Sequence, residues 1–167
     1  MKNPKVAIVM GSDSDFPKLT GCISFLKEYG IEVEARVISA HRTPQKAEEF
    51  ASNARANGFD LIIAAAGKAA HLPGVLAAFT TLPVIGVPIK ASTLDGLDAL
   101  LAIVQMPKGI PVATVAIDGA DNAAILAVQM LSLGYPELVD KLDDFKKKMA
   151  QEVEQKDLKI KEEVAAL

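Results

Sequence analysis

Three short segments of the chain hold residue types that can bind an anion and move a proton. The first, Gly11-Ser12-Asp13-Ser14-Asp15, sets small residues, hydroxyls and carboxylates just ahead of a helical pattern. Free amides and the positive dipole end at a helix start favour an anion, so Gly11, Ser12 and Ser14 suit a phosphate. Asp15 either caps the helix or takes ribose hydroxyls, and a plain capped turn is the other reading of the segment. Neither the GxxxxGK[ST] loop nor the GxGxxG fingerprint is present, so a nucleoside triphosphate or a dinucleotide is not indicated.

The second segment is Ser39-Ala40-His41-Arg42-Thr43-Pro44, also at a helix start. Arg42 carries a planar fork that matches phosphate, and an imidazole such as His41 moves a proton near neutral pH. The competing reading is an ordinary loop histidine beside a surface arginine. The third segment runs from Ala64 to Gly74 and includes Gly67, Lys68, Ala70, His71 and Leu72. Its small residues let backbone amides approach a ligand, and His71 either hydrogen-bonds locally at a helix start or takes part directly.

These segments need a scaffold that brings them together, and the rest of the chain describes one. Apolar, β-branched runs at Lys5–Met10, Glu32–Ile38, Leu61–Ala65, Val84–Val87 and Val112–Ile117 alternate with helical patterns. The helices are expected at Pro17–Tyr29, Pro44–Asn57, Leu72–Thr80, Leu94–Val104 and Asn122–Leu133. Asp15 and Thr43 are candidate N-caps, and Gly30, Gly58 and Gly134 stand where helices should stop. Strands that read as continuous apolar runs require cover on both faces. The expected fold is therefore α/β, a flavodoxin-like or Rossmann-like three-layer α/β/α sandwich around a five-stranded parallel sheet. Ligands of such sheets bind beyond the carboxyl ends of the strands, where all three segments fall.

At 167 residues the chain is one domain long, and 50% hydrophobic content excludes a disordered chain. No uncharged apolar run nears the length of a membrane span, and only five apolar residues precede Gly11, too few for a secretory signal. A cytoplasmic location is expected, with no membrane partner. Cys22 is the only cysteine, which excludes an internal disulfide and a zinc site built on several thiolates. A net charge of −3 and the lack of Trp argue against nucleic acid, so the expected partner is a small molecule.

Charge is unevenly spread. Residues 140–167 hold seven Lys and eight Asp or Glu, which leaves the alanine-rich body, 1–139, poor in charge. Such a body is expected to bury part of its exterior in a homo-oligomer. The tail is read as a helical extension of the same domain, with an apolar stripe at Leu138, Leu142, Phe145, Met149 and Val153 that must dock on its own domain or on a neighbour.

Taken in order, GSDSD, SAHRTP, GKAAHLPG, PVIGVP, IVQMPKGIPV and NAA resemble the class I phosphoribosylaminoimidazole carboxylases, the N5-carboxyaminoimidazole ribonucleotide mutases. The resemblance covers most of residues 5–150. It implies a flavodoxin-like subunit in a homo-octamer and no metal or organic cofactor. The implied activity is a step of de novo purine synthesis that yields 4-carboxy-5-aminoimidazole ribonucleotide. By position it implies Ser12, Asp15 and Arg42 as ribose-phosphate ligands and His41 as the catalytic acid and base. Gly67, Ala70, His71 and Leu72 would form the pocket for carboxylate and imidazole, with Gly11, Ser14, Ser39 and Ala40 completing the substrate-binding set; Lys68, a further binding candidate on the same loop, either pairs with a carboxylate or points to solvent. Ile103 to Pro107 would help complete a neighbour's site.

Two features depart from the family pattern: Lys68 stands at a usual glycine, and Asp118 to Ala124 is shorter than the family's loop. The nearest rival is the class II carboxylase, which takes aminoimidazole ribonucleotide and CO2; Arg42 and His71-Leu72-Pro73 favour class I. The alternative of another kind is a non-catalytic flavodoxin-like phosphate-binding module. A receiver domain needs an acidic residue at the end of the third strand, where this chain has Ala64-Ala65-Ala66.

Overall fold

Alternate residues of the first strand go to opposite faces, and both faces are apolar. In the computed structural model, which describes residues 3–167, Val6, Ile8 and Met10 enter one core while Ala7 and Val9 enter another. The sheet comprises β1 (Lys5–Met10), β2 (Glu32–Val37), β3 (Leu61–Gly67), β4 (Val84–Ile89) and β5 (Ala113–Thr114), in the order β2-β1-β3-β4-β5. All its pairings are parallel. Helices α1 (Phe16–Glu28), α5 (Ala120–Leu131) and α6 (Glu137–Ala165) cover one face. Helices α2 (Pro44–Asn53), α3 (Leu72–Ala78) and α4 (Leu97–Val104) cover the other. This is the flavodoxin-like three-layer sandwich that the sequence pattern predicts.

Register brings the loops to one edge. Met10 lies opposite both Val37 and Ala65, so β1 and β2 end level and β3 continues two residues further, to Gly67. The Gly11 amide donates to the Ala65 carbonyl at 3.2 Å, and the Ile38 amide donates to the Met10 carbonyl at 2.9 Å. Gly67 pairs with Ile89, which sets Lys68 and Lys90 at the same edge.

Several element limits differ from those expected. The fifth strand, expected at Val112–Ile117, keeps regular pairing only at Ala113–Thr114. Pro111 has no amide to donate, and downstream the bonds pass from Val115–Gly86 to Asp118–Pro88, so this edge bulges away from β4. The helix expected from Leu94 instead begins with a 3-10 turn at Leu94–Gly96, where φ is 49° at Leu94, 52° at Asp95 and 94° at Gly96. Gly96 is required there, because a Cβ would lie 2.8 Å from Ile117 Cγ2 and 3.1 Å from Lys90 Cα. Helix α2 stops at Asn53 rather than Asn57, and α5 starts at Ala120 rather than Asn122. Gly30 and Gly58 do adopt the positive φ expected at helix ends, and Gly134 does not.

The tail stripe divides. Leu138 is buried, and Leu142 and Phe145 pack on the core, with Phe145 edge-on to Phe25 at 5.5 Å. Lys141 Nζ also donates to the Tyr29 carbonyl at 2.8 Å. Met149 and Val153, further along the same stripe, are exposed. Cys22 is buried, and desolvation followed by the nearby Asp121 pushes its thiol up to about 12, consistent with packing. Among the described residues no helix is long and apolar enough to cross a membrane.

Candidate active site at the carboxyl edge of the sheet

The strand ends open into a cavity of about 730 Å³. From the first segment Gly11, Ser12, Ser14 and Asp15 line it. Ser12 caps a 3-10 turn, Asp13–Asp15, that precedes α1: its hydroxyl accepts from the Ser14 amide at 3.3 Å and from the Ser14 hydroxyl at 2.9 Å. The Asp15 side chain makes no capping bond, which leaves its carboxylate available to the cavity. Partial burial raises the Asp15 pKa above the usual value, against the opposing effects of a backbone hydrogen bond at Ser12 and of Lys18.

The second segment supplies Ser39, Ala40, His41 and Arg42 to the same wall. Thr43 does not cap α2 with its side chain as expected. Its hydroxyl instead accepts from the Ser39 amide at 3.2 Å and donates to the Ser39 carbonyl at 2.9 Å, closing the loop on itself. The Ser39 hydroxyl in turn accepts from the Arg42 amide at 3.1 Å and lies 3.5 Å from Arg42 Nε. The loop is thereby fixed while His41 and Arg42 remain exposed.

From the third segment Gly67, Lys68 and Leu72 line the cavity, whereas Ala70 is buried beneath it in the core. His71 is brought in through another histidine. His41 Nε2 lies 2.8 Å from His71 Nδ1, with the rings at 78°. In this hydrogen bond one nitrogen donates and the other accepts, according to the tautomers of the two rings. His71 stands at the N-cap position of α3 without a side-chain capping bond, and its ring instead meets His41.

Sequence reasoning missed Lys18 and Lys90, which also line the cavity. Lys18 Nζ lies 2.9 Å from both Asp118 carboxylate oxygens and 3.0 Å from the Lys90 carbonyl. The Lys90 amide donates to Asp118 at 2.9 Å. Two signals were present: Lys18 is one turn beyond Asp15, and Lys90 directly follows a strand end. Among the described residues no group of three or more His, Cys, Asp or Glu is placed to hold a metal ion.

Fold and cavity define a flavodoxin-like α/β protein with a cavity lined by cationic, hydroxyl and imidazole side chains at the carboxyl edge of its sheet. The chain belongs to the AIR carboxylase family, whose model matches residues 5–152. It is 54% identical over 161 residues to the N5-carboxyaminoimidazole ribonucleotide mutase of Pyrococcus horikoshii, covering 96% of this chain and 91% of that one. It is likewise 54% identical to the enzyme of the same name from Thermotoga maritima, covering 92% and 90% of the two chains. The crystal structure of Treponema denticola PurE superposes with a TM-score of 0.86 at 32% identity, covering 94% of this chain and 98% of that one.

Proposed function

We propose that the protein is an N5-carboxyaminoimidazole ribonucleotide mutase, forming 4-carboxy-5-aminoimidazole ribonucleotide in de novo purine synthesis. The observation that carries this reading is the His41–His71 contact of 2.8 Å on a cavity that Arg42 also lines, in a chain so close to relatives of that name. Arg42 and the Ser12, Ser14 and Ser39 hydroxyls receive the 5′-phosphate, and Asp15 receives ribose hydroxyls. The Gly67 to Leu72 loop borders the imidazole.

The reaction then balances through one proton-transfer group. The N5–carboxylate bond breaks, its electron pair goes to N5, and His41 supplies the proton that N5 takes up. CO2 stays in the cavity. C4 of the same ring attacks it, a C4–carbon bond forms, and His41 takes the proton that C4 gives up. Each cycle returns His41 to its starting state. His71, hydrogen-bonded to it, sets which nitrogen carries the proton at each stage.

Residues 1–139 act as the catalytic body and 140–167 as part of the same domain. The assembly is a homo-oligomer, an octamer by family pattern, in the cytoplasm. Support for assembly comes from the exposed Leu97, Leu101 and Val104 along α4 and Phe79 after α3. The test of trapping is substrate labelled with 13C in its carboxylate, converted in excess unlabelled bicarbonate. Retention of label in the product is expected; equilibration with the bicarbonate pool would refute transfer within one cavity.

A further inference from the structure

Four cationic side chains line the cavity, and they are not equivalent. Lys18 is bonded to both oxygens of Asp118, and Lys90 Nζ stands 3.2 Å from Asp95 Oδ1. Those two charges already have carboxylate partners. Arg42 and Lys68 form no ion pair among the described residues. The proposed substrate brings two anionic groups, a phosphate and a carboxylate, to a cavity with two free cations. Arg42, anchored on Ser39 and carrying the planar fork, suits the phosphate. Lys68 is left for the carboxylate.

Two further observations point the same way. Lys68 has φ of 56°, a left-handed conformation that glycine adopts freely and a long side chain adopts rarely. Its neighbour Gly67 is tightly placed, since a Cβ there would come 3.1 Å from the Ile89 carbonyl. Lys68 is thus the first position past the sheet edge at which this loop presents a charge, on the same short loop as His71. A strained residue that lines a cavity and lacks a partner within the protein is suited to a partner from outside it.

We infer that Lys68 is a specificity-determining residue whose ammonium receives the carboxylate of the carboxylated ribonucleotide. The inference rests on the mutase reading. Its consequence is selective: the N5- and C4-carboxylated forms gain the ion pair, while aminoimidazole ribonucleotide, formed between them, has no carboxylate to offer. Lys68 therefore favours the two ends of the reaction over release of the decarboxylated ring.

The test is the dissociation constants of the C4-carboxylated ribonucleotide and of aminoimidazole ribonucleotide, by titration calorimetry, for wild type and for Lys68→Met, Lys68→Arg and Lys68→Gly. Lys68→Met should weaken the carboxylated ligand about tenfold and aminoimidazole ribonucleotide less than about twofold. Lys68→Arg should keep most of the discrimination. Lys68→Gly relieves the backbone strain, so it folds even if the Met variant does not, and should show the same selective loss. In turnover the loss should fall on KM for the carboxylated substrate rather than on kcat. Equal weakening of both ligands, or of neither, in the Gly and Met variants would overturn the inference. A wild-type protein that fails to convert N5-carboxyaminoimidazole ribonucleotide yet shows the Lys68-dependent discrimination would refute the mutase reading and leave the carboxylate site standing.

Discussion

His41 Nε2 and His71 Nδ1 stand 2.8 Å apart, a hydrogen bond in which one ring nitrogen donates and the other accepts. His41 lines the cavity; His71 reaches it by way of His41.

His41→Asn should keep ligand binding and lose turnover, with kcat falling by roughly 10²- to 10⁴-fold and the dissociation constant of the product moving little. His71→Asn should lower kcat by about tenfold and displace the pH–rate profile, because His41 then loses the partner that sets its proton. Stopped-flow rates across pH, paired with calorimetric binding, check both. An unchanged profile in the His71 variant would reduce that residue to packing.

Arg42 is held by the Ser39 hydroxyl through both its amide and its Nε. Arg42→Met should raise KM for the ribonucleotide by about a hundredfold and hardly alter binding of the corresponding nucleoside, which has no phosphate. Equal weakening of nucleotide and nucleoside would mean that Arg42 shapes the loop rather than binding phosphate.

Asp118 ties α1 to the end of β4 through Lys18 and the Lys90 amide. Partial burial works to raise its pKa, but the hydrogen bonds from Lys18 and Lys90 outweigh it and hold the carboxyl below its usual value. A carboxyl whose pKa is depressed by folding stabilises the protein above its unfolded pKa, near 4, and loses that contribution as pH falls through the lower folded value. Asp118→Asn should therefore lower the thermal midpoint at pH 7, with the gap to wild type closing in acid below about pH 4. Calorimetric scans from pH 7 to pH 3 measure the gap; one that stays constant would show that the ion pair adds nothing.

The tail helix should be energetically divided. Leu142→Ala, on the docked part, should cost about 1–3 kcal/mol, while Val153→Ala, on the exposed part, should stay within about 0.5 kcal/mol in the isolated subunit. Denaturant unfolding of both variants checks this. A large cost at Val153 would mean that a neighbouring subunit covers it.

The parallel sheet was legible because β1, β3 and β4 are apolar on both faces, while β2, largely exposed, was legible only from its place in the alternation of strands and helices; the three cavity segments were legible because each follows a strand end, as at Met10–Gly11. Lys68, standing where the family resemblance implies glycine, takes the positive φ that glycine adopts freely. The Lys18–Asp118–Lys90 clasp was not legible, since its partners are up to a hundred residues apart and no local pattern joins them. Local capping rules also failed where a longer network prevailed. Asp15 stands at the N-cap position of α1 without a side-chain capping bond, Ser12 caps the 3-10 turn before it, and Thr43 bonded Ser39 instead of the free amides of α2. The stripe on the tail was visible as periodicity, but where it leaves the body depends on the length of the surface beneath it, which periodicity does not encode.

The most direct test of the central claim is a paired NMR assay of the purified protein. One tube receives N5-carboxyaminoimidazole ribonucleotide, and the other receives aminoimidazole ribonucleotide with bicarbonate. Rapid appearance of the C4-carboxylated product in the first tube, with the second far slower, is the result expected of a mutase built on His41. Efficient conversion in the second tube, or none in either, would contradict it.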